Sequence, residues 1–239
     1  MIRILVHAPK TRRSESCDPT QLEHRLADDS LILWLDLEGE AVRDEQTLLN
    51  YRIDLPMAAV RAFQCLEGPT LEERAGHVLL RFDELFGQQE QGLTTLPLSF
   101  FFTQRLLITR HADTSPAIEQ LRQELMTCNT AFFHPAHIAA CLASIVAARY
   151  LGILSLIEDQ LDEVPHGKAT EETFALLHAS LSKLRAGVKE HATLLQAMDN
   201  LALDLSVEVR DHFNMLREFL QQALDIARRY HIEYGLKVL

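Results

Sequence analysis

LDLSVEVRDHFNMLREFLQQALDIARRYHIEYGLKVL (Leu203–Leu239) contains no Pro and a single Gly, Gly235, near its end. From Val209 on, apolar or small residues recur at Phe213, Leu216, Leu220, Ala223, Ala227, Tyr230 and Tyr234. The steps alternate four and three, which is a heptad seam. Uninterrupted, such a helix is about 55 Å long, far beyond the three to four turns of an average globular helix. The stretch reads as a stalk that reaches something or assembles with copies of itself; the alternative is an ordinary bundle helix.

Working outward, the segment before the stalk is wholly helical. His137 to Val164 reads as one apolar-rich helix that ends in the acidic tip IEDQLDEVPHG, with Pro165 and Gly167 in the turn. Thr170 stands as cap of the next helix, which carries Phe174, Leu177, Leu181, Leu184, Val188, His191, Leu195 and Met198, and Asp199-Asn200 break it. Consecutive heptad helices joined by short turns predict a long antiparallel hairpin.

The first 133 residues differ. Ile2–Ala8 and Leu31–Leu37 read as buried strands, with a loop and a short helix in Pro9–Asp29 between them. Helices are expected over Glu40–Tyr51 and from Leu55-Pro56 to Gly68-Pro69, with Pro56 in the first turn. Strands follow at His77–Phe82, Thr94–Phe102 and Arg105–His111, the last two joined by a tight turn at Thr103-Gln104. Pro97 predicts an edge or a bulge. Ser115 is the expected N-cap of a helix to Cys128, with Pro116 first and Glu119 in its first turn. The fold class is therefore α+β: a mainly antiparallel sheet flanked by helices over residues 1–133, then a helical hairpin and a very long C-terminal stalk helix over 134–239.

Composition narrows the function. With 23 Lys and Arg against 34 Asp and Glu, the formal charge is −11, which disfavours nucleic acid and anionic lipid as partners. Cys17, Cys65, Cys128 and Cys141 show no CxxC spacing, so neither a structural zinc site nor a disulfide framework is expected. No apolar run reads as long enough to span a bilayer, and the chain reads as soluble. Phosphate-loop, dinucleotide, zincin and nucleophile-elbow motifs are absent, and no nucleophile stands with a base. An enzyme is not expected.

Three places invite a metal. His134 and His137 have a short His-x-x-His spacing, for which a helix entry with one capping imidazole is the alternative. His191 lies on a seam and reads as a buried, hydrogen-bonded core residue. Glu158 with Asp162, and Asp159 with Glu163, stack one turn apart; oxygen ligands suit Mg2+ and other hard cations, while a solvated helix end is the alternative. Asp204, Glu208 and Asp211 form one acidic stripe on the stalk. Faced by the same stripe of a neighbouring chain, it would bridge subunits through a divalent ion; otherwise it is a solvent face.

The order of these parts resembles the cytoplasmic domain of the CorA/ZntB superfamily of divalent-cation transporters. LILWLDLEGE, LPMAAVRAFQCLEGPTLEE, LPLSFFFTQRLLITRH, RYLGILSLIEDQLDEV and VRDHF (209–213) are similar to successive family stretches. The resemblance implies a homopentamer with stalks around a central axis. It also implies transmembrane helices after the stalk and a Gly-Met-Asn pore tripeptide, neither of which this chain contains. Ending at Leu239, it is expected to be a soluble piece of a transporter rather than a pore-less relative. By position, Asp211 matches the stalk carboxylate of the family's intersubunit regulatory metal site. The acidic partner is expected near residues 60–61, where this chain has Val60 and Arg61; Glu67 would take its place only with a shifted chain path. The implied ligand is a divalent cation, Mg2+ first, with Co2+ or Zn2+ as alternatives. The competing function is a soluble coiled-coil adaptor.

Overall fold

A computed structural model describes residues 1–39, 42–68, 70–74, 76–88, 92–127, 134–163 and 171–198, and beyond them positions 207, 211, 214, 215, 217, 218, 221, 222, 225 and 228. Seven strands form one sheet: β1 (Ile2–Ala8), β2 (Arg13–Cys17), β3 (Ile32–Glu38), β4 (Thr70–Arg74), β5 (His77–Gln88), β6 (Gly92–Phe102) and β7 (Leu106–His111), in the order β2-β1-β3-β7-β6-β5-β4. Every neighbouring pair is antiparallel except β3 with β7, which is parallel. The sheet is therefore mixed, with its parallel pair at the centre.

The central strands are apolar on both faces because both faces are covered. In β3, Leu33, Leu35 and Leu37 point to one side, where they meet Leu22 of α1 (Leu22–Leu26), Leu48 and Leu49 after α2 (Val42–Thr47), and Ala59, Val60 and Phe63 of α3 (Met57–Gln64). Ile32 and Trp34 alternate to the other side. There they join Leu5, Leu80, Phe100 and Leu107 under α4 (Pro116–Thr127), α5 (Pro135–Glu163) and α6 (Glu171–Met198). The architecture is three layers, helix–sheet–helix.

Several expectations need correction. Arg13–Cys17, expected in a loop, is the edge strand β2, turned back on β1 through Arg12 at φ 55°. Thr70–Arg74, also unexpected, is the opposite edge, β4. Their charged side chains hide the strand period and suit an exposed edge. The helix expected over Glu40–Tyr51 is α2 followed by a wider π turn, Leu48–Arg52, and Pro56 is the N-cap of α3, one residue earlier than expected. Pro97 behaves as expected: β6 pairs with β7 only over Ser99–Phe102, so at Pro97 its partner strand is β5 alone. The Ser115 cap also holds, with its Oγ accepting from the Ile118 N–H at 3.2 Å.

An apolar run of membrane-spanning length does exist, contrary to the sequence reading. Pro135–Ile157 spans 23 residues and includes an 18-residue window of mean hydropathy 1.9. Its Ala136, Ile138, Ala139, Leu142, Val146 and Tyr150 lie in the core against the sheet. The turn proposed at Pro165 and Gly167, the Thr170 cap and the Asp199-Asn200 break lie outside the described residues, as do the stalk seam positions from Val209 to Tyr234. The ten described stalk positions are helical.

Where α5 and α6 meet, His191 is buried, stacked on Tyr150 at 5.1 Å and edge-on to Phe82 at 4.8 Å. The hydrogen bond expected for it is not made at Nε2, which has no partner among the described residues. Complete burial pushes its pKa down to about 3. The unfolded chain binds this proton near the ordinary value and the folded chain does not, so the fold loses stability as pH falls below about 6.5. His191→Phe is expected to remove this loss. Denaturant unfolding at pH 7.5 and pH 5 should show the wild type losing about 2 kcal/mol more than the variant.

Candidate functional site

The stalk stripe is only partly described. Asp211 is helical and exposed, and Asp204 and Glu208 lie outside the described residues. Of the acidic tip, Asp159 is exposed, and the side chains of Glu158, Asp162 and Glu163 lie outside them. Among the described residues no group of three or more His, Cys, Asp or Glu is placed to hold a metal ion. His134 takes the helix-entry role: its Nδ1 accepts from the Ala136 N–H at 3.1 Å. Among the described exposed residues beyond α6, Val207, Asp211, Met215, Glu218, Gln222 and Asp225 are spaced by three and four in sequence. Arg217, Glu218, Gln221 and Gln222 line a groove of about 530 Å³ with Lys189, Ala192 and Thr193 of α6. A second groove, about 480 Å³, lies beside the β6–β7 turn; it is largely apolar, and its Arg105 is held by Asp29 at 2.8 Å.

The densest chemistry lies where sequence reading placed none. Arg3, Asp36 and Thr109 stand side by side on β1, β3 and β7, and Glu38 is opposite His111 one pleat further on. Period-two alternation puts all five on the face under α4. Asp36, fully buried, accepts from Arg3 Nε at 3.0 Å and NH2 at 2.7 Å on Oδ2. Its Oδ1 takes Thr109 Oγ1 at 2.6 Å and His111 Nε2 at 2.9 Å. Trp34 Nε1 donates to Thr109 at 3.0 Å. From α4, Glu119 pairs with Arg3, and Arg122 lies 5.9 Å over the Trp34 ring.

Burial alone pushes the Asp36 carboxyl up. The hydrogen bond and charge of His111, the Thr109 hydroxyl and Arg3 outweigh it and hold the group below the usual carboxylate range. Burial likewise opposes a charge on His111, but bonding to Asp36 and its charge, with the Asp113 carbonyl, raise it above the ordinary imidazole value. A neighbouring carboxylate, Glu84, is also buried; its Oε1 takes the Ala117 N–H at 3.0 Å and its Oε2 the Ser115 hydroxyl at 2.5 Å. Burial raises its pKa despite those bonds.

In an open sheet, ligands bind at the carboxyl ends of adjacent parallel strands whose connections leave to opposite faces. That crevice exists here, since the chain leaves β3 for α2 on one face and β7 for α4 on the other. It is filled from within: Glu84 occupies the start of α4, and the Gly39 N–H donates to the His111 carbonyl at 2.9 Å. Every member of the cluster is engaged with another, and none is a nucleophile poised beside a base.

Three comparisons bear on identity. Residues 29–235 match the family described as CorA-like Mg2+ transporter protein. The putative metal ion transporter YfjQ of Bacillus subtilis (strain 168) is 24% identical over 187 residues, which are 77% of this chain and 56% of that protein. This chain thus spans little more than half of that relative's length. Among solved structures, the full-length CmaX protein superposes with a TM-score of 0.83 at 17% identity, over 98% of this chain and 74% of CmaX. The soluble domain of CorA from Methanocaldococcus jannaschii gives 0.76 at 18% identity, over 95% and 91%.

Removing one partner of a buried charge network leaves the others uncompensated. Asp36→Ala is expected to cost about 3–5 kcal/mol in guanidinium unfolding, whereas Asp159→Ala on the exposed tip should stay within about 0.5 kcal/mol.

Proposed function

The chain belongs to the CorA-like Mg2+ transporter family, and on that premise we propose that it forms the cytoplasmic regulatory part of a divalent metal ion transporter. Members of the family are transporters and not enzymes. In this reading α5 and α6 make an antiparallel hairpin, and residues from 203 on make one stalk helix that leads toward a membrane part. Five copies stand around a common axis with their stalks together. Each copy carries a formal charge of −11, so the assembly repels itself unless cations collect between the subunits. Divalent ions between the Asp204, Glu208 and Asp211 stripes of neighbours offset that repulsion and hold a closed, symmetric state; their loss frees the stalks. The ion is Mg2+ first, with Co2+ or Zn2+ as alternatives, because an oxygen-only ligand set suits hard cations best.

The observation that carries the reading is the family match, which runs from the start of β3 through the stalk. Two features support its details. Asp211 is exposed and so accessible to a neighbour. Arg61 is exposed on α3 while Val60 is buried, so an ion at Asp211 relies on stalk carboxylates rather than on an acidic residue from α3. A second reading, a soluble coiled-coil adaptor, draws on Val207 and Met215, which expose large apolar side chains.

Light scattering on the 239-residue chain, first with chelator and then with millimolar Mg2+ or Zn2+, separates the two. A pentamer that forms only with metal and is lost in Asp211→Ala is the expected outcome. Arg61→Glu should then lower the metal concentration needed for assembly. A dimer indifferent to metal favours the adaptor, and a monomer indifferent to metal removes ion bridging from the reading.

A further inference from the structure

We propose that His111 is a proton-operated latch: charged, it ties the β7–α4 connection to Asp36 of β3, and neutral, it gives up that tie. The inference is independent of which ion the family member carries.

The geometry around the ring sets its protonation. Nδ1 lies 2.6 Å from the Asp113 carbonyl oxygen and Nε2 lies 2.9 Å from Asp36 Oδ1. A carbonyl oxygen only accepts. Asp36 Oδ1 also only accepts, because Arg3 holds the carboxylate ionised and the Thr109 hydroxyl already donates to it. Thr109 must donate in that direction, since the Trp34 N–H occupies its oxygen from the other side. Both ring nitrogens therefore carry hydrogen, and the ring is an imidazolium. The residue is only 3% exposed, so water cannot replace either bond.

When the proton leaves, a nitrogen lone pair faces an oxygen lone pair, at Asp36 or at Asp113. Asp36 cannot yield, being held on three strands at once. The His111 backbone cannot yield either, because its carbonyl is bound by the Gly39 N–H. Gly39 itself stands at φ +61° with Ala112 O 3.3 Å from where a Cβ would be. The choice left is the connection beyond, where Ala112, Asp113 and Thr114 are all exposed and the Thr114 hydroxyl, donating to Glu38 at 2.6 Å, is the remaining side-chain tie to β3. That loop ends at Ser115, the cap of α4, whose hydroxyl holds Glu84. A proton at His111 is thus coupled to the first turn of α4.

The charged groups around the latch favour the protonated form. Asp36 and Glu38 face it from β3 and Glu84 from β5, and all three are acidic. Arg3 on β1 is matched by Asp36, Glu38 and Glu119, and Arg149 on α5 lies 3.6 Å from Glu84. Arg122 on α4 lies over Trp34 and opposes the charge from further away. Because the folded pKa is raised, the latch is fully closed below about 6.5 and opens as pH rises through the folded value.

The test uses the 239-residue chain. Ring-carbon NMR of His111 should report a titration above the ordinary imidazole value. Amide exchange of residues 112–115, 117 and 118, corrected for intrinsic rates, should quicken severalfold as pH rises from 6.5 to 8.5, the direction a raised folded pKa requires. His111→Gln should lose this pH dependence while the strand amides of β3 and β7 stay protected. A His111 that titrates at or below 6.5 in the wild-type chain overturns the proposal, whether or not the variant folds. So does corrected exchange of 112–118 that is flat with pH in the wild type or unchanged in the variant.

Discussion

One buried carboxylate organises the centre of this protein. Asp36 sits on a strand that is covered on both faces, and a charge there is tolerable only if it is fully paired and hydrogen-bonded. Its four bonds come from β1 and β7, the two strands that flank β3. The pairing therefore fixes register as well as charge: a slip of one residue in either neighbour would turn Arg3, Thr109 or His111 to the opposite face. It also fixes the helical layer above, since Glu119 and Arg122 of α4 are drawn to the same point. The other face has its own, smaller counterpart, where Arg110 donates to buried Glu45 at 2.8 Å and Gln64 of α3 completes the group.

Filling the crevice in this way changes what the fold is for. The ends of parallel strands are where α/β proteins usually admit a ligand, and here the chain's own groups take up both oxygens of Asp36 and both of Glu84. The side chains there serve charge pairing and strand register instead.

What could be read in the sequence follows the same physics. β1 and β3 were legible because double-sided burial leaves a continuous apolar run, IRILVHA and LILWLDL. The β6–β7 hairpin was legible through its tight turn, which falls at Gln104-Arg105, one residue beyond the expected Thr103-Gln104, and α4 through Ser115-Pro116. β2 and β4 were not, because an edge strand has one neighbour and keeps charges such as those of RSESC and TLEER. The site was legible only in fragments. Asp36 and His111 are 75 positions apart, and no local pattern joins them; the available hint was a lone Asp inside LWLDL and a lone Arg inside IRILV. His134 read correctly as a capping residue because its position before Pro135 announced a helix start. The stalk carboxylates rest on spacing, a property of one helix that carries no information about what lies opposite.

Helix α5 bears on how the chain comes to be made. Its Pro135–Ile157 stretch has the length and hydropathy of a bilayer segment, and what keeps it in the protein is an apolar sheet face ready to receive it. All seven strands precede it in the chain. As the polypeptide leaves the ribosome, the receiving surface is synthesised before the segment that needs it. The order of elements thus has the docking face made before the stretch of membrane-like composition emerges.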